Sequence, residues 1–246
     1  MKLVELIKLA YRSYKYKTRN DKGEIAYIES VLMPGQTVFD IGAHKAGYLY
    51  IMLRRIGKTG HLYAFEPQSR LCNYILRLKN MFSWNNVTVE RLALSDVAGR
   101  VTLFIPVCKG KFTSPGATIA PKQSGDYGIK EEVATERLDD YCARKNIVPD
   151  FLKIDVEGNE LRVFKGGAHI LSTYKPTVIF ECEARHVGRE QVTETFKYLQ
   201  LLGYNGYFIN GVQKLPISQF SFDLHQVEGK KPYCNNFVFE KAILVA

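Results

Sequence analysis

Short β-type runs, each closed by a turn and followed by a stretch of helical periodicity, recur along most of this chain of 246 residues. That alternation leaves little choice of architecture. Strands separated by helices cannot pair through tight hairpins, so they lie parallel, and the helices cover both faces of the sheet. Strands are expected over 37–41, 61–66, 87–92, 100–105, 150–155, 176–181, 204–209 and 236–240. Helices are expected over 48–56, 69–82, 138–145, 160–171 and 190–202, with Gly166-Gly167 as an interruption. The expected fold is α/β: a doubly wound, mainly parallel, seven-stranded sheet of Rossmann-like form, with 100–105 a further piece of β character. Residues 34–246 carry it, and residues 1–33 form an N-terminal basic helical arm. The segment from Cys108 to Gly128, rich in Gly, Ser, Pro and Lys, reads as a long loop of the kind that often serves as a functional lid.

Composition narrows the class. Apolar residues at 46% and charged residues at 24% suit a globular protein and exclude a disordered or fibrous one. No apolar run reaches the roughly 18 residues of a membrane span. The first residues are too charged for a signal peptide. Five cysteines lie far apart without a Cys-x-x-Cys pair, which fits reduced thiols in the cytoplasm rather than a zinc or redox motif. The net charge of +9 is concentrated at the start: through Lys22 there are seven basic residues against two acidic ones. In that arm Leu3, Leu6, Ile7, Ala10 and Tyr14 recur at helical spacing. The simple expectation is a helix packed on the domain by its apolar stripe with a solvated basic side. The alternative is a weak contact with a membrane surface or an anionic substrate.

In a doubly wound sheet, ligands sit beyond the carboxyl ends of the strands, where strand order reverses. Asp40-Ile-Gly42, Glu66-Pro67 and Asp155-Val-Glu157-Gly158 all fall at such ends. Gly42 permits a tight turn near a bound molecule. Glu66, at the end of the next strand, stands where a carboxylate accepts hydrogen bonds from both ribose hydroxyls of an adenosine. The glycine pattern argues against polyphosphate. His44 occupies the second glycine position of a dinucleotide loop, and Gly47 is followed by Tyr48-Leu49 rather than by the Lys and hydroxyl of a phosphate loop. Asp40 opposes a pyrophosphate and suits a cofactor carrying an ammonium and a sulfonium. The expected cofactor is S-adenosylmethionine, in a cavity framed by Asp40 and Glu66. Asp155 and Glu157, two residues apart at a strand end, are expected to share that pocket as candidate bases, with Glu181 and His186 beside them. No metal-specific spacing is present, so no metal is expected.

These segments resemble one family. Val38-Phe-Asp-Ile-Gly-Ala-His44, Tyr63-Ala-Phe-Glu-Pro67, Leu92-Ala-Leu-Ser-Asp96, Arg137-Leu-Asp-Asp140 and Leu152-Lys-Ile-Asp-Val-Glu-Gly158 are similar to successive signatures of the FkbM methyltransferases. The resemblance implies a class I methyltransferase fold, S-adenosylmethionine as cofactor, and O-methylation of a small molecule, sugar, glycan or lipid. It places Asp40, Gly42 and His44 at the methionine moiety, Glu66 at the ribose, and Ser95 and Asp96 at the adenine side. The chain departs from the family pattern at His44, where Asn is usual, and at Ala46, where Gly is usual. A nucleic-acid acceptor is not expected, since an Asn/Asp-Pro-Pro-aromatic segment is missing and Trp84 is the single tryptophan. The competing readings are a non-catalytic adenosine-binding scaffold and an NAD-dependent oxidoreductase.

Overall fold

The computed structural model describes residues 2–108, 111–112, 116–119 and 127–242. The chain begins with α1 (Lys2–Lys15), a π-helical turn (Tyr16–Asn20), α2 (Lys22–Val31), β1 (Thr37–Ile41), α3 (Gly47–Ile56), β2 (His61–Phe65) and α4 (Ser69–Phe82). It continues through β3 (Val87–Glu90), β4 (Ala93–Ser95), β5 (Gly99–Cys108), β6 (Lys111–Phe112), β7 (Tyr127–Arg137), α5 (Leu138–Lys145) and β8 (Phe151–Ile154). The last part holds α6 (Glu160–Gly166), α7 (Ala168–Thr173), β9 (Thr177–Glu181), α8 (Ala184–Leu201), β10 (Tyr204–Asn210), β11 (Gln213–Pro216), α9 (Phe222–His225) and β12 (Asn236–Lys241).

Among the described residues the main sheet has eight strands in the order β11-β10-β12-β9-β8-β1-β2-β3. β1 lies between β2 and β8, parallel to both, with Asp40 beside Ala64 on one side and Lys153 on the other. β12 inserts antiparallel between β9 and β10, and β11 adds an antiparallel edge. The mainly parallel α/β fold expected from the sequence is present, with β11 as one strand more than the seven anticipated. The predicted strand over 100–105 belongs elsewhere: β5 pairs antiparallel with β7 in a second, four-stranded sheet, β4-β7-β5-β6. Its small core is Leu103, Ile105 and Val133.

Strand alternation builds the two main cores. Phe39, Ile41, Phe65, Leu152, Ile154 and Phe180 face α5 to α8, while Val38, Leu62, Ala64 and Phe151 face α1 to α4. Full burial of each large side chain contributes about 1.5–3 kcal/mol. The same alternation sends Asp40 and Lys153 to the second face, under α2 and α3, in positions that otherwise read as apolar. Gly166 and Gly167 do separate two helices, α6 and α7. A Cβ on Gly166 would lie 2.0 Å from the Ser95 carbonyl oxygen, so α6 approaches β4 too closely for any side chain there. α8 starts before the expected 190 and is kinked at Gly188 (φ 83°).

One expectation is reversed. The apolar stripe of α1 does not pack on the domain: Leu3, Val4, Ile7, Tyr11 and Tyr14 are exposed, and Glu5 and Leu9 are the buried residues. Polar anchors decide the orientation. Glu5 accepts hydrogen bonds from Lys8 (3.0 Å) and Tyr74 (3.1 Å), and Arg12 donates to the Lys45 carbonyl. Most of the predicted loop between Cys108 and Gly128 lies outside the described residues. Residues 116–119 run back along β5, where Phe104 and Thr118 exchange backbone hydrogen bonds of 2.9 and 3.0 Å.

Gly42 is the tightest point of the strand-end layer, with φ +85° and a hypothetical Cβ only 1.9 Å from the Asp155 carbonyl oxygen. Left-handed backbone and overpacking both oppose a side chain there. Gly42→Ala is expected to destabilise the protein by about 3 kcal/mol or more in urea unfolding. A loss below roughly 1 kcal/mol would show that this approach is not tight.

Candidate active site

The turn after β1 forms the first wall of a cavity of about 310 Å³ at the carboxyl ends of β1, β2 and β8. That size lies at the small end of the range for ligand sites. The Gly42 and Ala43 N–H groups both donate to the Phe65 carbonyl (2.9 and 3.1 Å), which ties the turn to β2. His44 and Ala46 then adopt left-handed backbone (φ 48° and 59°), conformations that Asn and Gly accept more readily. The two departures from the FkbM pattern therefore fall at strained positions, each costing roughly 1–2 kcal/mol. Ala46 caps α3, which brings Tyr48 to the cavity.

Glu66 forms part of the second wall. It is 3% exposed; its Oε2 accepts from the His44 N–H (2.8 Å) and its Oε1 from the Gln68 N–H (2.9 Å). Burial pushes its pKa up to about 7, against the pull of those two donors. The His44 imidazole is held neutral, its pKa pushed down to about 4 by burial and then by Lys45. Next to Glu66, Leu92, Ala93, Leu94 and Asn159 complete this end. Asn159 donates to the Leu94 carbonyl (3.3 Å).

β8 contributes the floor. Lys153, 4% exposed, places its Nζ 3.2 Å from Asp155 Oδ2 and 4.6 Å from the centre of the Tyr48 ring. Tyr48 in turn donates to Glu24 (2.6 Å), and its ring lies 5.2 Å from that of Tyr16. Burial disfavours the charge on Lys153, but Asp155, Asp40 and Glu24 outweigh it and raise its pKa above the usual lysine value. The same ammonium restrains Asp40, which burial still pushes up to about 6, and Glu24, which burial and Asp21 push up to about 8.

The turn after β8 supplies two more carboxylates. β8 ends at Ile154, so Asp155 and Glu157 sit on a turn, with Glu157 left-handed (φ 53°), and not on one strand as expected. Both nevertheless line the cavity. Glu157 Oε1 accepts from the Gly116 N–H (3.0 Å), and Thr118 donates to the Glu157 carbonyl (3.1 Å), so residues 116–119 brace this turn. Burial, and next Asp155, raise the Glu157 pKa. Glu181, also in the lining, is raised by burial, Asp155 and its neighbour Glu183.

The residues singled out in the sequence thus divide. Gly42, His44, Glu66, Asp155 and Glu157 meet at the cavity. His186 stands behind Glu157, its Nδ1 3.5 Å from Oε2. Asp40 does not frame the cavity: it is 0% exposed and faces the α2–α3 side, where strand alternation points it at the Lys153 cluster. Ser95 is buried and bonds to Asp96 (3.1 Å), which lies 3.8 Å from Arg162; neither is in the lining, where Leu92 to Leu94 stand instead. Sequence reasoning missed Lys153, Glu24, Tyr48 and Asn159. Lysine in an otherwise apolar buried strand was the available signal for the first. No group of three or more His, Cys, Asp or Glu side chains suited to a metal occurs among the described residues.

Five acidic side chains (Asp21, Glu66, Asp155, Glu157 and Glu181) line the cavity against two lysines, Lys45 and Lys153. Lys153→Met is expected to cost about 3–5 kcal/mol in chemical unfolding, because it leaves buried carboxylates without their counter-charge; a neutral or stabilising change would contradict that role. The raised carboxyl pKa values also set a pH dependence. A carboxyl whose folded pKa is raised stabilises below its unfolded value, 3.8 for Asp40 and 4.5 for the glutamates, and that contribution is lost as pH rises through about 6 for Asp40, about 7 for Glu66 and Glu160, and about 8 for Glu24. Scanning calorimetry of the ligand-free protein should show Tm falling from about pH 5 to about pH 8. A rise across that window would be the contrary result.

Comparison with known proteins bears on the family and the fold. The sequence profile described as "Methyltransferase FkbM domain" matches residues 40–209. Among solved structures, the fold is similar to that of the FkbM methyltransferase from Methylobacillus flagellatus KT, with a TM-score of 0.55 and 15% identity. The match covers 93% of this chain but only 53% of that one, so this chain spans about half the length of the Methylobacillus protein. A putative rRNA methylase from Clostridium thermocellum (TM-score 0.52, 10% identity, 89% of this chain and 94% of that one) has the same fold. So does an rRNA methylase from Streptococcus thermophilus (TM-score 0.52, 8% identity, 89% and 95%). At such identities the likeness concerns fold alone. No curated protein sequence matches the chain.

Proposed function

The chain belongs to the FkbM-domain methyltransferases, and on that footing we propose that it transfers a methyl group from S-adenosylmethionine to a hydroxyl of a small molecule, glycan or lipid. The observation that carries this reading is the acid-rich cavity at the strand ends, with Glu66 in its wall. The donor set fits a cationic nucleoside: carboxylates predominate, and the glycine-poor turn between Gly42 and Gly47 offers little to a pyrophosphate. Glu66 would hold the ribose hydroxyls, exchanging the His44 and Gln68 amides for them at least in part. The Leu92–Leu94 edge and Phe65 would flank the adenine. Lys45, at the mouth, would face the carboxylate end and Asp155 the ammonium. When bound, S-adenosylmethionine supplies an electrophilic methyl group on a positively charged sulfur.

Two reactants held in line can remove about 7–11 kcal/mol of a barrier, so alignment by these walls is the main contribution asked of the protein. A hydroxyl acceptor must also lose its proton. Glu157 is the base in this reading, because Asp155 is engaged by Lys153 while burial raises the Glu157 pKa above the usual carboxylate value. His186, behind its Oε2, would carry the proton outward. A cytoplasmic setting goes with this reading, since Cys72, Cys142, Cys182 and Cys234 are buried free thiols.

Titration calorimetry should show S-adenosylmethionine binding once per chain. Glu66→Gln should weaken it at least tenfold, the order expected for loss of one charged hydrogen bond at about 1.5–3 kcal/mol. Tight NAD binding without S-adenosylmethionine binding would overturn the proposal. With an acceptor found by labelled-methyl transfer, Glu157→Gln should lower kcat by roughly a hundredfold or more; unchanged turnover would remove Glu157 as the base.

A further inference from the structure

Helix α1 is attached to the protein the wrong way round for a helix that merely packs. Its inward side is held by polar anchors around the buried Leu9: Glu5 is buried between Lys8, Tyr74 and Arg77, and Arg12 reaches the Lys45 carbonyl beside the cavity. Its apolar side looks out. Leu3, Ile7, Tyr11 and Tyr14, spaced four, four and three apart, form one ridge on the helix, and they are 67%, 57%, 63% and 61% exposed. Val4 and Leu6 widen it. Large apolar side chains in a contiguous outward row mark a docking surface more often than chance exposure does.

The surroundings of the ridge select the occupant. Lys8 and Lys15 flank it along one side, and Lys17, Arg19 and Lys22 follow, all exposed; Lys8 and Lys17 are ion-paired with Glu5 and Glu29, so Lys15, Arg19 and Lys22 carry the outward charge. The acids of this segment are withdrawn: Glu5 is buried and Asp21 turns into the cavity. What remains outside is an apolar and tyrosine-bearing ridge bordered by cations, the pattern of a helix that lies in the headgroup layer of an anionic bilayer. A second copy of this chain fits less well, because a two-fold contact through α1 would bring the same cationic border against itself. Nucleic acid would use the cations but leave the apolar ridge in water. No helix among the described residues is long and apolar enough to cross a membrane, so the contact is at the surface.

The ridge is directly joined to the cavity. The π-helical turn that ends α1 supplies Tyr16 and Asn20 to the lining, with Asp21 next in sequence, and Tyr16 packs so close to α3 that a Cβ on Gly47 would lie 2.3 Å from its ring. We propose that α1 docks this protein on an anionic membrane surface and thereby sets the cavity mouth against the bilayer, so that the methyl acceptor is a hydroxyl carried on a lipid. The docking stands on the helix alone; the acceptor class rests on the methyltransferase reading above.

The test is co-sedimentation of the full chain with vesicles of phosphatidylcholine, alone or with phosphatidylglycerol, alongside calorimetric titration with S-adenosylmethionine. Wild-type protein should sediment with the phosphatidylglycerol vesicles and remain in solution with phosphatidylcholine alone. Leu3→Asn/Ile7→Asn and, separately, Lys15→Glu/Arg19→Glu should each weaken vesicle binding at least tenfold while leaving cofactor affinity and circular dichroism unchanged. Vesicle binding equal in the variants and wild type would overturn the proposal. So would a wild-type dimer that Leu3→Asn/Ile7→Asn dissociates, or binding of a single-stranded RNA oligonucleotide with none to vesicles. Cofactor binding without vesicle binding would refute docking and spare the methyltransferase reading; vesicle binding without cofactor binding would do the reverse.

Discussion

The buried ammonium of Lys153 is the interaction on which the rest of the site depends. It sits on the helix-covered face of β8, beside Asp40 on β1, with Asp155 at 3.2 Å and the Tyr48 ring beneath it. Removing a charge from water costs several kcal/mol. A carboxylate near 4 Å returns about 4 kcal/mol at the effective dielectric of a protein. One partner would leave the balance close; several carboxylates hold the lysine charged. The arrangement ties together four elements, since Asp40 comes from β1, Asp155 from the turn after β8, Glu24 from α2 and Tyr48 from α3.

From that floor the character of the cavity follows. Asp155 is oriented by Lys153, and Glu157 by Gly116 and the residues that follow β5, so the second sheet braces the turn after β8. Glu66 is held at the opposite wall by two backbone amides. The result is a space richer in carboxylates than in cations, placed where strand order reverses between β8 and β1. Such a space is poorly suited to polyphosphate and well suited to a ligand with positive charge and vicinal hydroxyls.

Much of this was legible in the sequence because alternation of strand and helix is local. The strands β1, β2, β8, β9, β10 and β12 and the helices α3, α4 and α5 fall close to where periodicity puts them. Glu66 was legible because its distance from Gly42 reflects one strand-helix-strand unit. Asp40 was misplaced for a different reason: whether a strand-tip side chain looks into the cleft or under a helix depends on the pleat, and Lys153 on the neighbouring strand is what makes the inward position tolerable. β7 went unread because Glu131 stands between its apolar positions Ile129 and Val133 on the same face, where it pairs with Arg91 and accepts from the Ser69 N–H. The orientation of α1 was misread because an apolar stripe does not say what it faces. Glu5, Tyr74 and Arg12 decide that, and their contacts are distant in sequence.

The account reduces to a nucleoside bound between the Glu66 wall and the Lys153–Asp155 floor. A crystal structure of the protein with S-adenosylhomocysteine addresses it most directly. The account predicts both ribose hydroxyls within hydrogen-bond reach of Glu66, at about 2.5–3.0 Å, and the sulfur facing the Asp155–Glu157 turn. A nucleoside seated elsewhere, with Glu66 still bonded only to the His44 and Gln68 amides, would contradict it.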